Sequence, residues 1–213
     1  MGTLRLPRQP HSLDPTHHTG LRPLLRSDRM GSVGCRHISC SQQNQPRDTC
    51  YVASAGLPDL VYSGYSPRAY LWDEFPPLKE ILEMVHKALP GNRFNSLLLN
   101  RYKGGNDYVG WHSDDEKLYG SAPEIASVSF GCEREFFLKK KPSKISHAVR
   151  TDGEPASKRA RKNTDSDQRS FMLKHGSMLV MRGYTQRDWI HSVPKRAKVE
   201  AVRINLTFRH VLS

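Results

Sequence analysis

At 213 residues the chain is long enough to bury a real core in one domain with appendages. Its 33 Lys+Arg against 21 Asp+Glu give a formal charge of +12, which points to a polyanionic partner such as nucleic acid. No apolar run approaches the roughly 20 residues of a membrane span, and the four cysteines show neither paired metal spacing nor a preceding secretory leader. A membrane-spanning protein and a disulfide scaffold are thereby set aside, and a soluble monomer with reduced thiols is expected.

Residues 1–46 are rich in Arg, His, Ser and Pro and lack hydrophobic periodicity, so a disordered N-terminal segment is expected there. Several arginines with few acids also suit an organellar transit peptide, the alternative to a nuclear location. The remainder, 47–213, is expected to be one domain. Tyr51–Ala53 and Leu60–Tyr62 are β-prone runs separated by Gly56-Leu57-Pro58, a pattern that predicts a hairpin. Leu78, Ile81, Leu82, Val85 and Leu89 recur at helical spacing; Asp73 is the expected cap and Pro90-Gly91 the stop.

Strands are predicted over 94–102, 124–131, 134–140, 171–174, 177–182, 188–193 and 202–210, with turn chemistry at Lys103–Asn106 and His175-Gly176. Many short strands at close spacing predict a mainly β sandwich or barrel of antiparallel sheets, with one flanking helix. Between strands lies a Ser, Lys, Arg and Asp-rich stretch, 142–169, read as a flexible basic insertion with nothing to bury. Lys139, Lys140, Lys141 and Lys144 precede or open it, and Lys158–Lys162 adds a second cluster. Such clusters suit a solvated loop, nuclear import or phosphate contact.

His112 and Asp114 stand two positions apart, so on extended chain both side chains leave one face. With His191, placed in a segment dense in Trp and Tyr, they make two imidazoles and one carboxylate. That is the facial triad of non-haem Fe(II) oxygenases, which leaves coordination positions open for oxygen chemistry. The tail strand alternates Arg203, Asn205, Thr207 and Arg209 on one face with Ile204, Leu206 and Phe208 on the other. Guanidinium groups facing a barrel interior are costly unless an anion neutralises them, and a dicarboxylate matches their planar fork. Asn100 and Tyr102 share a face at the end of the apolar run Leu97–Leu99 and can bond the same ligand.

Taken together, Asn100-Arg-Tyr, His112-x-Asp-Asp-Glu, Ser127-Val-Ser-Phe-Gly, His175-Gly-Ser, Trp189-x-His-Ser and Arg203-x-Asn-x-Thr-x-Arg resemble the AlkB family of Fe(II)/2-oxoglutarate demethylases. The resemblance runs from about Arg47 to Arg209 and is greatest to plant-type members of the branch that repairs alkylated duplex DNA. It implies a double-stranded β-helix (jelly-roll) core. It implies iron on His112, Asp114 and His191, and 2-oxoglutarate among Asn100, Tyr102, Arg203, Asn205, Thr207 and Arg209. The implied reaction consumes O2 and 2-oxoglutarate, yields succinate and carbon dioxide, and removes an N-methyl group from DNA as formaldehyde.

The same resemblance places Asp115 beside the target base, as the candidate catalytic carboxylate, and puts Arg47 and Tyr62 near the base pocket; Glu116, next in the chain to Asp115, is a further candidate for base contact or a solvated turn acid. Carboxylates there can accept hydrogen bonds from the exocyclic amine of adenine or cytosine. The stretch Val33–Asn44 departs from the family, whose duplex-specific members carry a hydrophobic wedge upstream of Pro46-Arg47-Asp48. Duplex against single strand, DNA against RNA, and an active enzyme against a weakened nucleic-acid-binding protein therefore stay open on the sequence.

Overall fold

In the computed structural model the described residues are 46–61, 66–142 and 168–212. The expected disordered segment up to residue 45, Tyr62, and residues 143–167 of the basic insertion lie outside them. In chain order the elements are β1 (Asp48–Ala53), β2 (Ala69–Leu71), α1 (Pro76–Ala88), β3 (Ser96–Tyr102), β4 (Val109–His112), β5 (Ile125–Gly131) and β6 (Arg134–Lys140). They continue with β7 (Gln168–Leu173), β8 (Met178–Met181), the one-turn helix α2 (Thr185–Asp188), β9 (Trp189–Val193) and β10 (Arg203–Arg209).

A six-stranded sheet runs β2-β1-β3-β10-β5-β8 and a four-stranded sheet runs β4-β9-β6-β7. From β3 to β6 the chain passes from one sheet to the other at each strand, and it does so again from β7 to β10. That is the expected jelly roll, closed by antiparallel pairs, with β1 and β2 extending one sheet.

The two larger of three cores lie on either side of β10, which is buried on both faces. Leu206 and Phe208, with Leu97, Leu99, Ala126 and Val128, pack outward against Leu78, Ile81 and Val85 of α1. Each of those helix side chains is buried, worth about 1.5–3 kcal/mol apiece relative to exposure. The inward face is different. There Tyr102, Ile125, Phe136, Leu138, Leu179 and Val193 form a smaller apolar cluster between the sheets, and the polar row of β10 lies beside it.

Three expectations are corrected. Among the described residues no ladder joins Tyr51–Ala53 to Leu60 and Val61; β1 pairs in parallel with β2, Tyr51 opposite Ala69. Leu60 instead enters a small core with Tyr51, Leu98, Tyr119 and Val211 as irregular chain, so burial without a ladder satisfies that apolar run. Asp73 does not cap α1, whose N-cap is Phe75 with no side-chain hydrogen bond. Pro76 and Pro77 supply no N–H, so two of the donors a cap would satisfy do not exist. Asp73 pairs with Lys79 at 2.6 Å instead. Finally, Gln168 and Arg169 belong to β7 rather than to the insertion.

Candidate metal and co-substrate centre

β4 and β9 are neighbours in the smaller sheet, and His112 lies directly opposite His191 in their register. The two rings sit 4.2 Å apart between centroids. Asp114 follows two residues after β4 ends, in irregular chain. One ligand atom from each of His112, Asp114 and His191 falls within 4.8 Å of the others. Asp114 Oδ1 is 4.0 Å from His112 Nε2 and Oδ2 is 3.9 Å from His191 Nε2. These gaps are too long for hydrogen bonds and leave room for a cation between the donors.

His112 Nδ1 lies 2.9 Å from the Gly110 carbonyl, which only accepts, so Nδ1 carries the proton and Nε2 keeps its lone pair. Phe136 stacks on His191 at 5.3 Å and fixes its ring. Burial pushes His191 down to a pKa of about 3, so the imidazole is neutral, as a ligand must be. For Asp114 burial acts upward, yet Arg209 and the two imidazoles outweigh it and hold its pKa at about 2.

Both shifts make acid destabilising in the metal-free protein. Unfolded His191 takes a proton near its ordinary value of 6.5, whereas folded His191 resists until about 3. Folding stability is therefore fully present above 6.5 and is expected to fall by a few kcal/mol as pH drops toward 3. Asp114 extends the loss below its ordinary 3.8. Urea unfolding of the metal-free chain at stepped pH measures this, and a flat profile between pH 6.5 and 3 would contradict the buried neutral imidazole.

The polar row of β10 meets the triad. Arg203, Asn205, Thr207, Arg209, Asn100 and Tyr102 line one pocket with His112, Asp114 and His191. Arg209 Nη2 donates to Asp114 Oδ2 at 2.9 Å, and its guanidinium lies over the Tyr119 ring. Asn205 Nδ2 donates to Ser127 Oγ at 2.7 Å, and Thr207 Oγ1 donates to Asn205 Oδ1 at 3.0 Å.

Arg203 is 1% exposed, and it lacks what a buried charge requires. Its Nη2 reaches Ser129 Oγ at 3.0 Å and its face lies on the Tyr102 ring. Its Nε and Nη1 have no partner among the described residues. A buried guanidinium with two unsatisfied donors costs several kcal/mol unless an anion completes it. The donor set thus fits a metal ion at one end of the pocket and a carboxylate at the other.

Arg47 joins this pocket. Its Nε donates to Asn100 Oδ1 at 2.7 Å, which puts it on the pocket wall beside Asn100. Asp115 stands outside the pocket lining, more than half exposed, with Oδ2 held by Lys141 at 3.1 Å and Ser113 at 2.9 Å. Burial acts to raise its pKa, but those two hydrogen bonds pull it below the usual range. Glu116 also lies off the lining. Burial pushes its carboxyl up, and its Oε2 is enclosed with no partner among the described residues.

Sequence reading missed Arg134. Buried at the start of β6, it donates to the carbonyls of Gly104, Asp107 and Pro194, tying the loop that enters β4 to the loop that leaves β9. Those two loops also touch at Gly105, where a Cβ would lie 1.7 Å from the Arg196 carbonyl, so only glycine fits. The strands bearing the two histidines are thereby locked together. Gln186 was missed as well; its Oε1 accepts the Asp114 N–H at 2.9 Å. No motif flags either residue, since each acts through backbone groups brought near only by the fold.

Comparison with known proteins agrees with this geometry. The model of the 2OG-Fe(II) oxygenase superfamily matches residues 21–209. The chain is 70% identical over 169 residues to the DNA oxidative demethylase ALKBH2 of Arabidopsis thaliana, covering 79% of this chain and 54% of that protein. It is 44% identical over 198 residues to alpha-ketoglutarate-dependent dioxygenase alkB homolog 3 of Bos taurus, covering 90% and 64%. To human DNA oxidative demethylase ALKBH2 it is 38% identical over 167 residues, covering 78% and 57%. The chain thus spans between about half and two thirds of these relatives' lengths. A solved structure of OsALKBH1 shares the fold at a TM-score of 0.51 and 16% identity, covering 88% of this chain and 91% of that one. With its triad and arginine-lined pocket in place, the chain belongs to the 2OG-Fe(II) oxygenase superfamily, and its relatives there are AlkB homologues.

Proposed function

We propose that the chain is an oxidative demethylase that removes methyl groups from N1-methyladenine and N3-methylcytosine in DNA, acting in the nucleus through a catalytic domain over 47–213. The observation that carries the chemistry is Arg203, a buried guanidinium with two donors unmet among the described residues, in the same pocket as three converging side chains able to ligate a metal. The choice of DNA is supported by the names of the Arabidopsis and human relatives and by the +12 charge.

His112 Nε2, His191 Nε2 and an Asp114 oxygen would hold Fe(II). Arg203, with Asn205 and Thr207 nearby, would hold the distal carboxylate of 2-oxoglutarate. When bound, these two groups supply the oxidising chemistry with O2, giving succinate, carbon dioxide and a hydroxylated methyl group that leaves as formaldehyde. The protein's own part is placement. Phe136, Val193 and Met181 wall the pocket and exclude water from the reacting end. Arg209 neutralises part of the Asp114 charge and sets its orientation. A base stacked in a duplex cannot reach so enclosed a site and must be flipped out, and methylation that blocks pairing lowers that cost. Asp115, outside the pocket lining, is proposed to read the flipped base together with Arg47, Tyr62 and Glu116.

The test is succinate and formaldehyde release from 2-oxoglutarate, Fe(II), ascorbate and oligonucleotides carrying either lesion, as single-stranded DNA, duplex DNA and RNA. Turnover on methylated DNA above RNA is expected. Turnover on RNA alone would replace the substrate, and metal-dependent turnover on none would leave a nucleic-acid-binding protein. Deleting residues 143–167 is expected to weaken DNA binding and flatten its salt dependence while sparing the rate at saturation. An unchanged salt slope would leave that segment no part in DNA contact.

A further inference from the structure

The turn that carries Asp114 and Asp115 is enclosed by a ring of hydrogen bonds that reaches across to α2. Gln186, 1% exposed, accepts the Asp114 N–H on Oε1 at 2.9 Å, and its Nε2 rests 3.4 Å from Met181 Sδ. The Gln186 carbonyl accepts from Lys141 Nζ at 2.9 Å. The same Nζ donates to Asp115 Oδ2 at 3.1 Å, and Ser113 Oγ donates to that oxygen at 2.9 Å. The Lys141 N–H is itself fixed to the Asp188 carbonyl at 2.8 Å. Two donors converge on Oδ2 and restrain rotation of the Asp115 carboxylate.

We propose that Gln186 and Lys141 are positioning residues, Gln186 fixing the backbone of the metal ligand Asp114 and Lys141 orienting Asp115 so that Oδ1 faces the amino group of the target base. The Lys141 half rests on the reading of Asp115 given above; the Gln186 half needs only the metal site. The physical basis is that a side chain outside the coordination sphere sets how well a ligand meets its ion, commonly by 10- to 100-fold in affinity. A buried N–H deprived of its acceptor also seeks another partner, and so pulls the turn out of place.

Mn(II) titrated alone into the metal-free full chain measures the first half. Gln186→Leu is expected to weaken Mn(II) binding about tenfold or more. Mn(II) binding equal to that of the unaltered chain would overturn it, whereas no Mn(II) binding by the unaltered chain would instead sink the metal site itself. Lys141→Met serves the second half and, being partly exposed, does not endanger the fold. It is expected to raise KM for a methylated oligonucleotide several-fold more than Lys139→Met, which removes the same charge from an exposed position, while Mn(II) affinity and the 2-oxoglutarate requirement stay unchanged. Equal KM values in the two lysine variants would show that Lys141 supplies charge alone. If Gln186→Leu does not fold, Gln186→Met, which also removes the acceptor of the Asp114 N–H, takes its place with the same expected loss of Mn(II) affinity.

Discussion

Arg203→Met is expected to raise the 2-oxoglutarate concentration needed for half-maximal turnover by roughly 30- to 1,000-fold, the equivalent of about 2–4 kcal/mol lost from a buried charge-assisted pair. This guanidinium is 1% exposed and, among the described residues, its Nε and Nη1 have no hydrogen-bond partner, so an anionic ligand is expected to complete it. Methionine fills the same space beside Tyr102 without charge. The loss should therefore fall on co-substrate binding, with folding little changed or improved, because an uncompensated buried charge has been removed. Measuring succinate formation against 2-oxoglutarate concentration, with thermal unfolding in parallel, separates the two. An unchanged concentration dependence would remove Arg203 from the pocket's function.

His191→Ala is expected to abolish iron-dependent turnover and to lower Mn(II) affinity by at least 100-fold, since one of the three proposed ligands is lost. The backbone should survive. The imidazole is neutral, and its Nδ1 makes no hydrogen bond among the described residues, so no network collapses with it. The cost is the cavity left against Phe136 and His112, about 1–3 kcal/mol. Circular dichroism and metal titration on the same sample test both halves; full activity in the variant would contradict the assigned ligand.

How much of this the sequence discloses depends on the range of the interaction. Alternation on β10 is local, so the split between Arg203–Arg209 and Ile204–Phe208 is legible directly and the structure reproduces it. The same holds for α1, whose stripe Leu78, Ile81 and Val85 needs only helical period. His112 and Asp114 are legible from spacing, but their meeting with His191 depends on β4 lying against β9, a contact 79 residues apart that no local rule supplies. Local propensity failed where tertiary context outweighed it. Leu60 and Val61 are strand formers that find burial or solvent rather than a partner, and the acid at Asp73 is drawn to Lys79. β4 escaped notice because Val109-Gly-Trp-His is short and its pairing shifts register before His112.

The central claim is that one pocket holds a metal ion on His112, Asp114 and His191 and a dicarboxylate on Arg203. A crystal structure of the chain grown anaerobically with Fe(II) and 2-oxoglutarate, with anomalous scattering collected at the iron edge, tests it most directly. The prediction is a single iron peak bound by those three side chains, with the distal carboxylate of the keto acid bonded to Arg203. Iron bound elsewhere, or a keto acid that leaves the Arg203 donors unpaired, would contradict it.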